Sequence, residues 1–275
     1  MLSLLDQIGI QFLSSGRSYR PVSSDPTIEA KMLKSQNIPA LVSLGRHDCG
    51  FCGYDWIVEQ NADVVELLDL KFDPVRLIAA VPEEMQDLLT TPEVAQGKTL
   101  VVASEYRRLA TEFIAGKNLN AIFVRAFGAT EALPPEDADM IIDNTASGTT
   151  LRHNRLVIID ELMRSTTRFI CNREALKNPV KRKKLEEMAM LMESSLRARQ
   201  KVLLEMNVAA DDLERLVQDL PCMRAPTISK LYNSDGYAIK VAVPTEEVAA
   251  LIPRLVSLGA RDVLEYRVDK IVLRQ

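Results

Sequence analysis

Residues 139–152 read DMIIDNTASGTTLR, and this stretch decides the fold. A short apolar strand, Met140–Ile142, ends at Asp143, and a run of small and hydroxyl residues then opens a helix. Backbone amides in such a run converge on an anion, and Gly148 permits close approach of a ligand. The stretch therefore predicts a phosphate-binding strand–loop–helix unit, with Asp143 beside it to meet a ribose diol or its bound metal.

A plainer interpretation of the same stretch is a capped helix that follows a strand and binds nothing. The hydroxyls of Ser147, Thr149 and Thr150 add hydrogen-bond donors and favour the phosphate. The stretch lacks the Gly-Lys-Ser/Thr ending of a nucleoside triphosphatase loop. We therefore expect a phosphate cradle that is not a nucleoside triphosphatase loop.

Short strands alternate with helical patterns on both sides of this stretch, which is typical of an α/β sheet with crossover helices. The predicted strands are 64–70, 76–81, 99–103, 121–126, 140–142, 156–159 and 167–170. The predicted helices are 38–44, 55–60, 83–89, 105–115 and 179–199, and 27–35 is left open. We expect two lobes around a cleft: residues 1–80 with 156–199 form lobe I, and residues 81–155 form the phosphate-binding lobe II.

The last 75 residues, 200–275, form a separate module. Their pattern reads strand, helix, strand, strand, helix, strand, which is the ferredoxin-like βαββαβ order. The two central strands flank Asn233-Ser234-Asp235-Gly236, whose Asp-Gly pair is a hairpin turn signal. This module is the third predicted domain.

Composition excludes several classes of protein. Length predicts about two domains, with room for a small third. The chain has 34 Lys and Arg against 38 Asp and Glu, a bias too weak to indicate a nucleic-acid or membrane partner. Its apolar runs are far shorter than the roughly 20 residues of a membrane span, and its first residues lack a signal-peptide pattern. The predicted location is the cytoplasm.

Four cysteines allow one alternative function. Cys49 and Cys52 have the spacing of a thiol redox motif, and His47 and Asp48 beside them resemble half of a metal site. A zinc site needs about four ligands, and the chain has only one histidine besides His47, namely His153. We therefore favour reduced thiols at the end of a buried strand, with redox chemistry as the weakest hypothesis.

Six motifs together resemble the long form of the ATP phosphoribosyltransferase family. They are Asp143–Leu151 followed by Arg152-His153-Asn154, Gly128–Glu131, Ala103–Tyr106, Gly50–Asp55, Arg224–Thr227 and Leu258–Ala260. The resemblance implies an α/β fold with a two-lobed, periplasmic-binding-protein-like catalytic part and a C-terminal ferredoxin-like, ACT-like domain. It implies transfer of the phosphoribosyl group of phosphoribosyl pyrophosphate to the adenine ring of ATP, with Mg2+, as the first step of histidine biosynthesis.

The same resemblance implies roles for individual residues in the catalytic part. Asp143 and Glu131 would face the ribose hydroxyls, and Arg17 would lie near the pyrophosphate. Glu105 and Tyr106 would border the nucleotide. The 5′-phosphate would be held by Thr145, Ala146, Ser147, Gly148, Thr149, Thr150 and Leu151. Without the resemblance, Arg17 reads as a surface residue of a Ser/Gly turn, and Glu105 and Tyr106 read as a solvated helix start.

In the C-terminal module the resemblance implies inhibition by histidine. Asn207, Thr227, Val243 and Asp262 would surround the inhibitor. It also implies a homo-oligomer, from dimer to hexamer. The alternative is a module that serves only dimerisation.

The resemblance is incomplete at the start of the chain. The family's first strand and its Lys-Gly-Arg turn are missing, which predicts weak activity. Arg107 replaces a common proline, Ala129-Thr130 replace a Ser-Val pair, and segment 133–138 is about one residue short. The competing hypothesis is thus a catalytically weak or inactive two-lobed relative that binds ligands or regulates.

Overall fold

The computed structural model describes residues 1–13, 19–91, 97–221 and 225–273. The strands are β1 (Phe12–Leu13), β2 (Val22–Ser23), β3 (Cys49–Gly53), β4 (Val65–Asp69), β5 (Val75–Pro82), β6 (Leu100–Ser104), β7 (Ala121–Arg125), β8 (Met140–Thr145), β9 (Leu156–Ser165), β10 (Thr167–Cys171), β11 (Lys201–Ala209), β12 (Thr227–Lys230), β13 (Gly236–Pro244) and β14 (Arg261–Arg267). The α-helices in these ranges include α1 (Leu2–Gln7), α2 (Ile38–Ser43), α3 (Tyr54–Glu59), α4 (Arg107–Gly116), α5 (Thr149–His153), α6 (Pro179–Ala198), α7 (Leu213–Gln218) and α8 (Val248–Ser257).

The chain divides into two units by its internal contacts. One unit is Met32–Lys184, and the other joins Met1–Lys31 to Leu185–Gln275. Residues 1–31 thus group with the C-terminal part of the chain, although the sequence pattern places them in lobe I. The lobe and domain boundaries drawn from the sequence stay predictions, apart from the placement of strands 76–81 and 156–159, which differs from the observed sheet order.

A three-stranded antiparallel sheet in the order β3-β10-β4 forms one layer of unit Met32–Lys184. The rings of Phe51 and Phe169 face each other across the β3–β10 pair and stack at 4.8 Å. Such a cross-strand aromatic pair fixes the register of the two strands. Helices α2 and α3 flank β3 in the chain, and their buried side chains Val42 and Ile57 pack with Cys52 and Ile170.

A five-stranded mixed sheet in the order β7-β6-β8-β5-β9 forms the other layer of that unit. Strand β6 runs parallel to β7 and β8, whereas β5 is antiparallel to β8 and β9. Residues Leu77–Val81 of β5 are fully buried, and they alternate between two core clusters on the two faces of the sheet. Burial on both faces explains why β5 reads as a continuous apolar run.

The predicted lobe of two strands and one predicted helix differ from the structure. The pattern assigns 76–81 and 156–159 to lobe I, but β5 and β9 pair in the same sheet as β8, the strand that the sequence places before the predicted phosphate loop. An apolar run indicates a buried strand without specifying its sheet. The predicted helix at 83–89 is wrong: a single 3-10 turn, Glu83–Met85, forms there. So few residues do not sustain a helix by themselves, and buried Leu88 instead anchors the segment to the core.

The C-terminal module forms a four-stranded antiparallel sheet in the order β12-β13-β11-β14. Alternate residues of β11 are buried, and Val202, Leu204, Met206 and Val208 pack with residues of α7 and α8. One face of the sheet therefore packs in the core, and the other face points away from the core. This order of elements confirms the predicted ferredoxin-like arrangement.

Candidate active site

A pocket of about 250 Å³ lies where β8 ends and α5 begins. Its walls come from the stretch that the sequence analysis singled out, together with two residues outside it. The lining residues are Val75, Glu131, Asp143, Asn144, Thr145, Ala146, Ser147, Thr149, Thr150 and Leu151. Polar side chains and backbone thus dominate the pocket, as a site for a phosphorylated sugar requires.

The loop between β8 and α5 is held by its own hydrogen bonds. Gly148 adopts a left-handed conformation, with φ at 71°, and its N–H donates to Thr145 Oγ1 at 3.0 Å. Glycine takes this conformation without steric cost. The hydroxyls of Ser147 and Thr149 are 2.9 Å apart. The loop is therefore shaped before any ligand arrives.

Arg152 adds a positive charge to this loop. Its guanidinium donates to the carbonyl of Ser147 at 3.3 Å and to Thr149 Oγ1 at 3.2 Å. Arg152 directly follows the Asp143–Leu151 motif, and the sequence pattern alone predicted no role for it. The signal available was its position in the last turn of the short helix α5, from which a basic side chain can fold back over the loop.

Two carboxylates, Asp143 and Glu131, line one side of the pocket, and Glu105 acts on Asp143 electrostatically from outside the lining. Burial raises the pKa of Asp143 to about 6, although the N–H of Asn144 donates to its Oδ1 at 2.7 Å. The negative charges of Glu131 and Glu105 raise the pKa of Asp143 further. The pocket thus combines a hydroxyl-rich loop with an acidic wall that a cation or a positively charged reaction centre would stabilise.

Tyr106, the residue after Glu105, is not among the residues that line the pocket. The side chain of Tyr106 is fully buried, and its hydroxyl donates to Asp55 Oδ2 at 2.6 Å. The same hydroxyl accepts from Asn144 Nδ2 at 2.8 Å. Burial, and then the charge of Asp55, raise the pKa of Tyr106 well above its usual range, so the hydroxyl keeps its proton.

Two family models match nearly the whole chain. The model described as HisG, ATP phosphoribosyltransferase, matches residues 34–194, and the model described as HisG, C-terminal domain, matches residues 198–270. The chain belongs to the ATP phosphoribosyltransferase family. The predicted family, enzyme class and fold class are confirmed, and the chain is a transferase of histidine biosynthesis.

Individual relatives agree with this assignment over almost their full length. The ATP phosphoribosyltransferase of Thermodesulfovibrio yellowstonii is 40% identical over 98% of this chain and 93% of its own. That of Prosthecochloris aestuarii is 37% identical over 98% of this chain and 92% of its own. A chain of the ATP phosphoribosyl transferase (HisG:HisZ) complex from Thermotoga maritima superimposes with a TM-score of 0.60 at 21% identity. It covers 70% of this chain and 91% of its own, and it supports the fold alone.

The structure brings together most of the residues that the ATP phosphoribosyltransferase resemblance assigned to the catalytic part. Asp143, Glu131 and the phosphate-loop residues except Gly148 all line the pocket directly. Glu105 acts on Asp143 electrostatically, and its Oε2 accepts from Gln36 Nε2 at 3.4 Å. Arg17 lies outside the described residues.

The four predicted histidine contacts do not form one pocket within the C-terminal module. Asn207 Nδ2 donates to Asp262 Oδ2 at 3.0 Å across the β11–β14 pair. Thr227 lies in exposed strand β12, on the same sheet face as Asn207. Val243 is fully buried on the opposite face, paired with Val202, which lies about 17 Å along β11 from Asn207. Alternation along β11 separates these residues, so only Asn207 and Asp262 meet.

Cys49 and Cys52 lack the properties of a redox centre. Burial raises the pKa of Cys49 and of Cys52 to about 12, so both thiols stay protonated near neutral pH. Nearby Asp48 accepts a hydrogen bond from Lys181 Nζ at 2.8 Å. Within the ranges that the structure describes, no group of three or more metal-binding side chains forms. Cys222 lies outside those ranges.

No helix in the described part of the chain is long and apolar enough to span a membrane.

Proposed function

We propose that this chain transfers the phosphoribosyl group of phosphoribosyl pyrophosphate to the adenine ring of ATP and that phosphoribosyl pyrophosphate binds in the β8–α5 pocket. The observation that carries the proposal is the pairing of a hydroxyl-rich loop, closed by Gly148, with the carboxylates of Asp143 and Glu131. The loop suits the 5′-phosphate, and carboxylates suit ribose hydroxyls. The two ends of the pocket thus match the two ends of a ribose phosphate.

The reaction needs charge stabilisation more than a proton acceptor. A ring nitrogen of adenine, unprotonated at neutral pH, forms a bond to the anomeric carbon while the bond to the pyrophosphate oxygen breaks. The pyrophosphate leaves with that electron pair, and the ribose becomes oxocarbenium-like. Negative charge from Asp143 and Glu131 would stabilise this developing cation in a partly dry pocket.

Mg2+ fits the acidic wall of the pocket. In polyphosphate sites this ion keeps several waters and binds one or two carboxylates plus substrate oxygens, so it needs no larger cluster of ligands. Asp143 and Glu131 would hold it, because burial, and to a lesser extent the charge of Glu131, disfavour ionisation of Asp143, and a bound cation would offset both effects. When bound, Mg2+ would neutralise the charge of the departing pyrophosphate.

Other residues complete the proposal. Arg152 would balance the phosphate charge from the far side of the loop, where it already contacts Ser147 and Thr149. Arg17, as a cation for pyrophosphate, and Glu105, at the nucleotide, remain predictions. The role of Tyr106 at the nucleotide also remains a prediction. Its hydroxyl already makes hydrogen bonds to Asp55 and Asn144.

Substitution of Glu131 tests the proposal most directly. Glu131→Gln removes the charge and keeps the shape, so kcat/KM should fall at least about tenfold, as for the loss of one electrostatic stabiliser. Phosphoribosyl-ATP formation is followed by absorbance, and binding of phosphoribosyl pyrophosphate is followed by calorimetry with Mg2+ present. Exposed Glu136, in the same segment, provides the matched control Glu136→Gln, which should behave as wild type.

The same two measurements separate the competing function. Binding without turnover in the wild type would support a ligand-binding or regulatory relative. Neither binding nor turnover would contradict the assignment of the pocket.

We also propose that the C-terminal module senses histidine and takes part in a homo-oligomer. Support comes from the match of residues 198–270 to the family's C-terminal domain. The polar pair Asn207 and Asp262, on the sheet face away from the core, offers an amide and a carboxylate to an amino acid. Thr227, on the same sheet face, remains a predicted contact of this regulatory site, whereas buried Val243 on the opposite face is not proposed as one.

A further inference from the structure

Asp55 stands out because it is an acidic side chain buried in the protein interior, only 4% exposed. Its carboxylate is held by two hydroxyls: Ser165 Oγ donates to Oδ1 at 2.5 Å, and Tyr106 Oη donates to Oδ2 at 2.6 Å. No salt bridge to Asp55 forms in the described part of the chain. A buried charge costs free energy unless it is well hydrogen-bonded, so this arrangement must be maintained by its surroundings.

The backbone around Asp55 is shaped for this contact. The N–H of Asp55 donates to Ser165 Oγ at 3.1 Å, which orients the serine hydroxyl toward the carboxylate. A side chain at Gly53 would collide with the Asp55 carboxylate, so this strand end requires glycine. Gly53 and Asp55 belong to the Gly50–Asp55 motif, and the sequence pattern alone predicted no role for either residue.

The hydrogen bonds of Asp55 join the two sheets of unit Met32–Lys184. Asp55 lies on α3, directly after β3 of the three-stranded sheet. Its partners lie on the five-stranded sheet, where Ser165 ends β9 and Tyr106 follows β6. The network continues to Asn144, near the end of β8, whose Nδ2 donates a hydrogen bond to the Tyr106 hydroxyl at 2.8 Å.

Two further contacts hold the same junction. The ring of Trp56 stacks on that of Tyr106 at 4.3 Å. The carboxylate of Glu59 accepts from the N–H groups of Arg108 and Leu109, at 2.9 and 3.0 Å, at the start of α4. The junction between α3 and α4 is therefore fixed by packing as well as by the buried polar network.

We propose that Asp55 and Tyr106 are positioning residues that hold Asn144, and through it the pocket carboxylate of Asp143, in the orientation needed for phosphoribosyl transfer. Asn144 and Asp143 are neighbours on β8, and both line the pocket. A bond that fixes one side chain at a strand end restricts the backbone of the adjacent residue. This inference rests on the proposed placement of phosphoribosyl pyrophosphate in the pocket.

The expected kinetic effect follows from where the network acts. The phosphate loop is held by its own bonds, such as that from Gly148 N–H to Thr145 Oγ1, so ground-state binding should survive loss of the network. Misorientation of Asp143 would weaken stabilisation of the oxocarbenium-like state. An interaction lost only in the transition state lowers kcat and leaves KM nearly unchanged.

The test compares Tyr106→Phe, Asp55→Asn and the double variant with wild type. Tyr106→Phe removes the hydroxyl and keeps the ring. We expect kcat to fall about tenfold or more, in line with the cost of small misplacements in active sites, and KM for phosphoribosyl pyrophosphate to change less than about threefold. The double variant should lose less than the sum of the two single variants, because both substitutions act on the contact between Tyr106 and Asp55. Tyr232→Phe, at a tyrosine that is 92% exposed, is the matched control and should match wild type.

Hydrogen exchange of residues 140–145 without substrate tests the positioning role independently of turnover. Exchange should be faster in Tyr106→Phe than in wild type and unchanged in Tyr232→Phe. Unchanged exchange in Tyr106→Phe would overturn the inference, as would an unchanged kcat or fully additive losses. An inactive wild type would instead contradict the proposed function, while the exchange result would still decide the role of the network.

The emission of Trp56, the one tryptophan in the chain, confirms that the variants are folded. Because the Phe ring preserves the stack, the emission of Tyr106→Phe should stay close to that of wild type. If this variant unfolds, Ser165→Ala removes one hydroxyl from the same carboxylate and keeps the other. It should then lower kcat with KM preserved, and a wild-type kcat would overturn the inference.

Discussion

At the residue scale, Gly148 provides the most direct test of the phosphate loop. Its φ of 71° is strained for any residue with a side chain, and β-branched valine is disfavoured most there. Gly148→Val should shift the loop and weaken binding of phosphoribosyl pyrophosphate by about 1–3 kcal/mol, the scale of charged hydrogen bonds left unmade. Calorimetry measures the change. Gly116→Val, at a glycine with open space around its Cβ position, is the control, and equal affinity of both variants would contradict a phosphate role.

Asp143 illustrates how a carboxylate that lines a pocket can lower stability. Burial, with the charges of Glu131 and Glu105, raises its pKa from 3.8 to about 6. Between pH 4 and 6 an aspartate in the unfolded chain has therefore lost its proton while the folded one still holds it. Stability contributed by the bound proton is present below about pH 4 and is lost as the pH rises through about 6.

The corresponding prediction concerns Asp143→Asn, which removes this cost. At pH 7.5 the variant should be more stable than wild type by up to about 3 kcal/mol, with no gain below pH 4. Urea denaturation at both pH values measures the difference, with exposed Asp137→Asn as the control. Turnover should fall in the same variant. A variant that is both less stable and fully active would contradict the role assigned to Asp143.

The buried thiols give a third prediction at this scale. Because the pKa values of Cys49 and Cys52 are raised to about 12, their reactive thiolate fraction is very small. Iodoacetamide at pH 7.5 should label both slowly in the native protein and rapidly after unfolding, with mass spectrometry identifying each labelled peptide. Rapid native labelling of both residues would revive the redox hypothesis.

At the scale of elements, helix α4 depends on a cap supplied from another helix. Tyr106, at the N-cap position, makes no side-chain capping bond, and Glu59 of α3 accepts from the N–H groups of Arg108 and Leu109 instead. Unsatisfied N–H groups at a helix start are costly when they are partly buried. The short helix α3 thus stabilises the start of α4.

We therefore expect Glu59→Ala to lower the free energy of unfolding by about 0.5–2 kcal/mol, the usual effect of losing a cap. Glu59→Gln should lose less, because one amide oxygen can still accept a hydrogen bond. The control is Glu112→Ala on α4, which removes only an exposed ion pair with Arg108, worth less than about 1 kcal/mol. Thermal or urea unfolding gives these values. Equal effects at Glu59 and Glu112 would show that the cap contributes nothing.

At the scale of the whole molecule, the proposed histidine response requires a ligand that binds one global state better than another. Asp262→Ala removes the acidic partner of Asn207 and should weaken inhibition by histidine about 5- to 150-fold, the range of typical allosteric coupling, without changing uninhibited turnover. Asp235→Ala, in the β12–β13 turn, is the control. If millimolar histidine changes neither the turnover rate nor the sedimentation of the wild type, the regulatory proposal is contradicted.

Local sequence pattern was sufficient for much of the fold and of the site. The strand at 140–142, the small and hydroxyl residues after Asp143 and the βαββαβ order of the last 75 residues are properties of short segments. Hydrophobic period, turn residues and glycine preferences act within a few positions, so they can be read without tertiary contacts. The pocket residues from Asp143 to Leu151 lie close in space because they are close in sequence.

Long-range pairing was decided only in the folded structure. The assignment of β5 and β9 to the sheet of β8 depends on hydrogen bonds between strands, which leave no mark on either strand alone. The buried bond from Tyr106 to Asp55 joins residues 51 positions apart, and the separation of Asn207 from Val243 depends on which face each strand presents. A local pattern specifies the type of an element and its buried face, whereas the partner of that face is chosen by packing among all the elements at once.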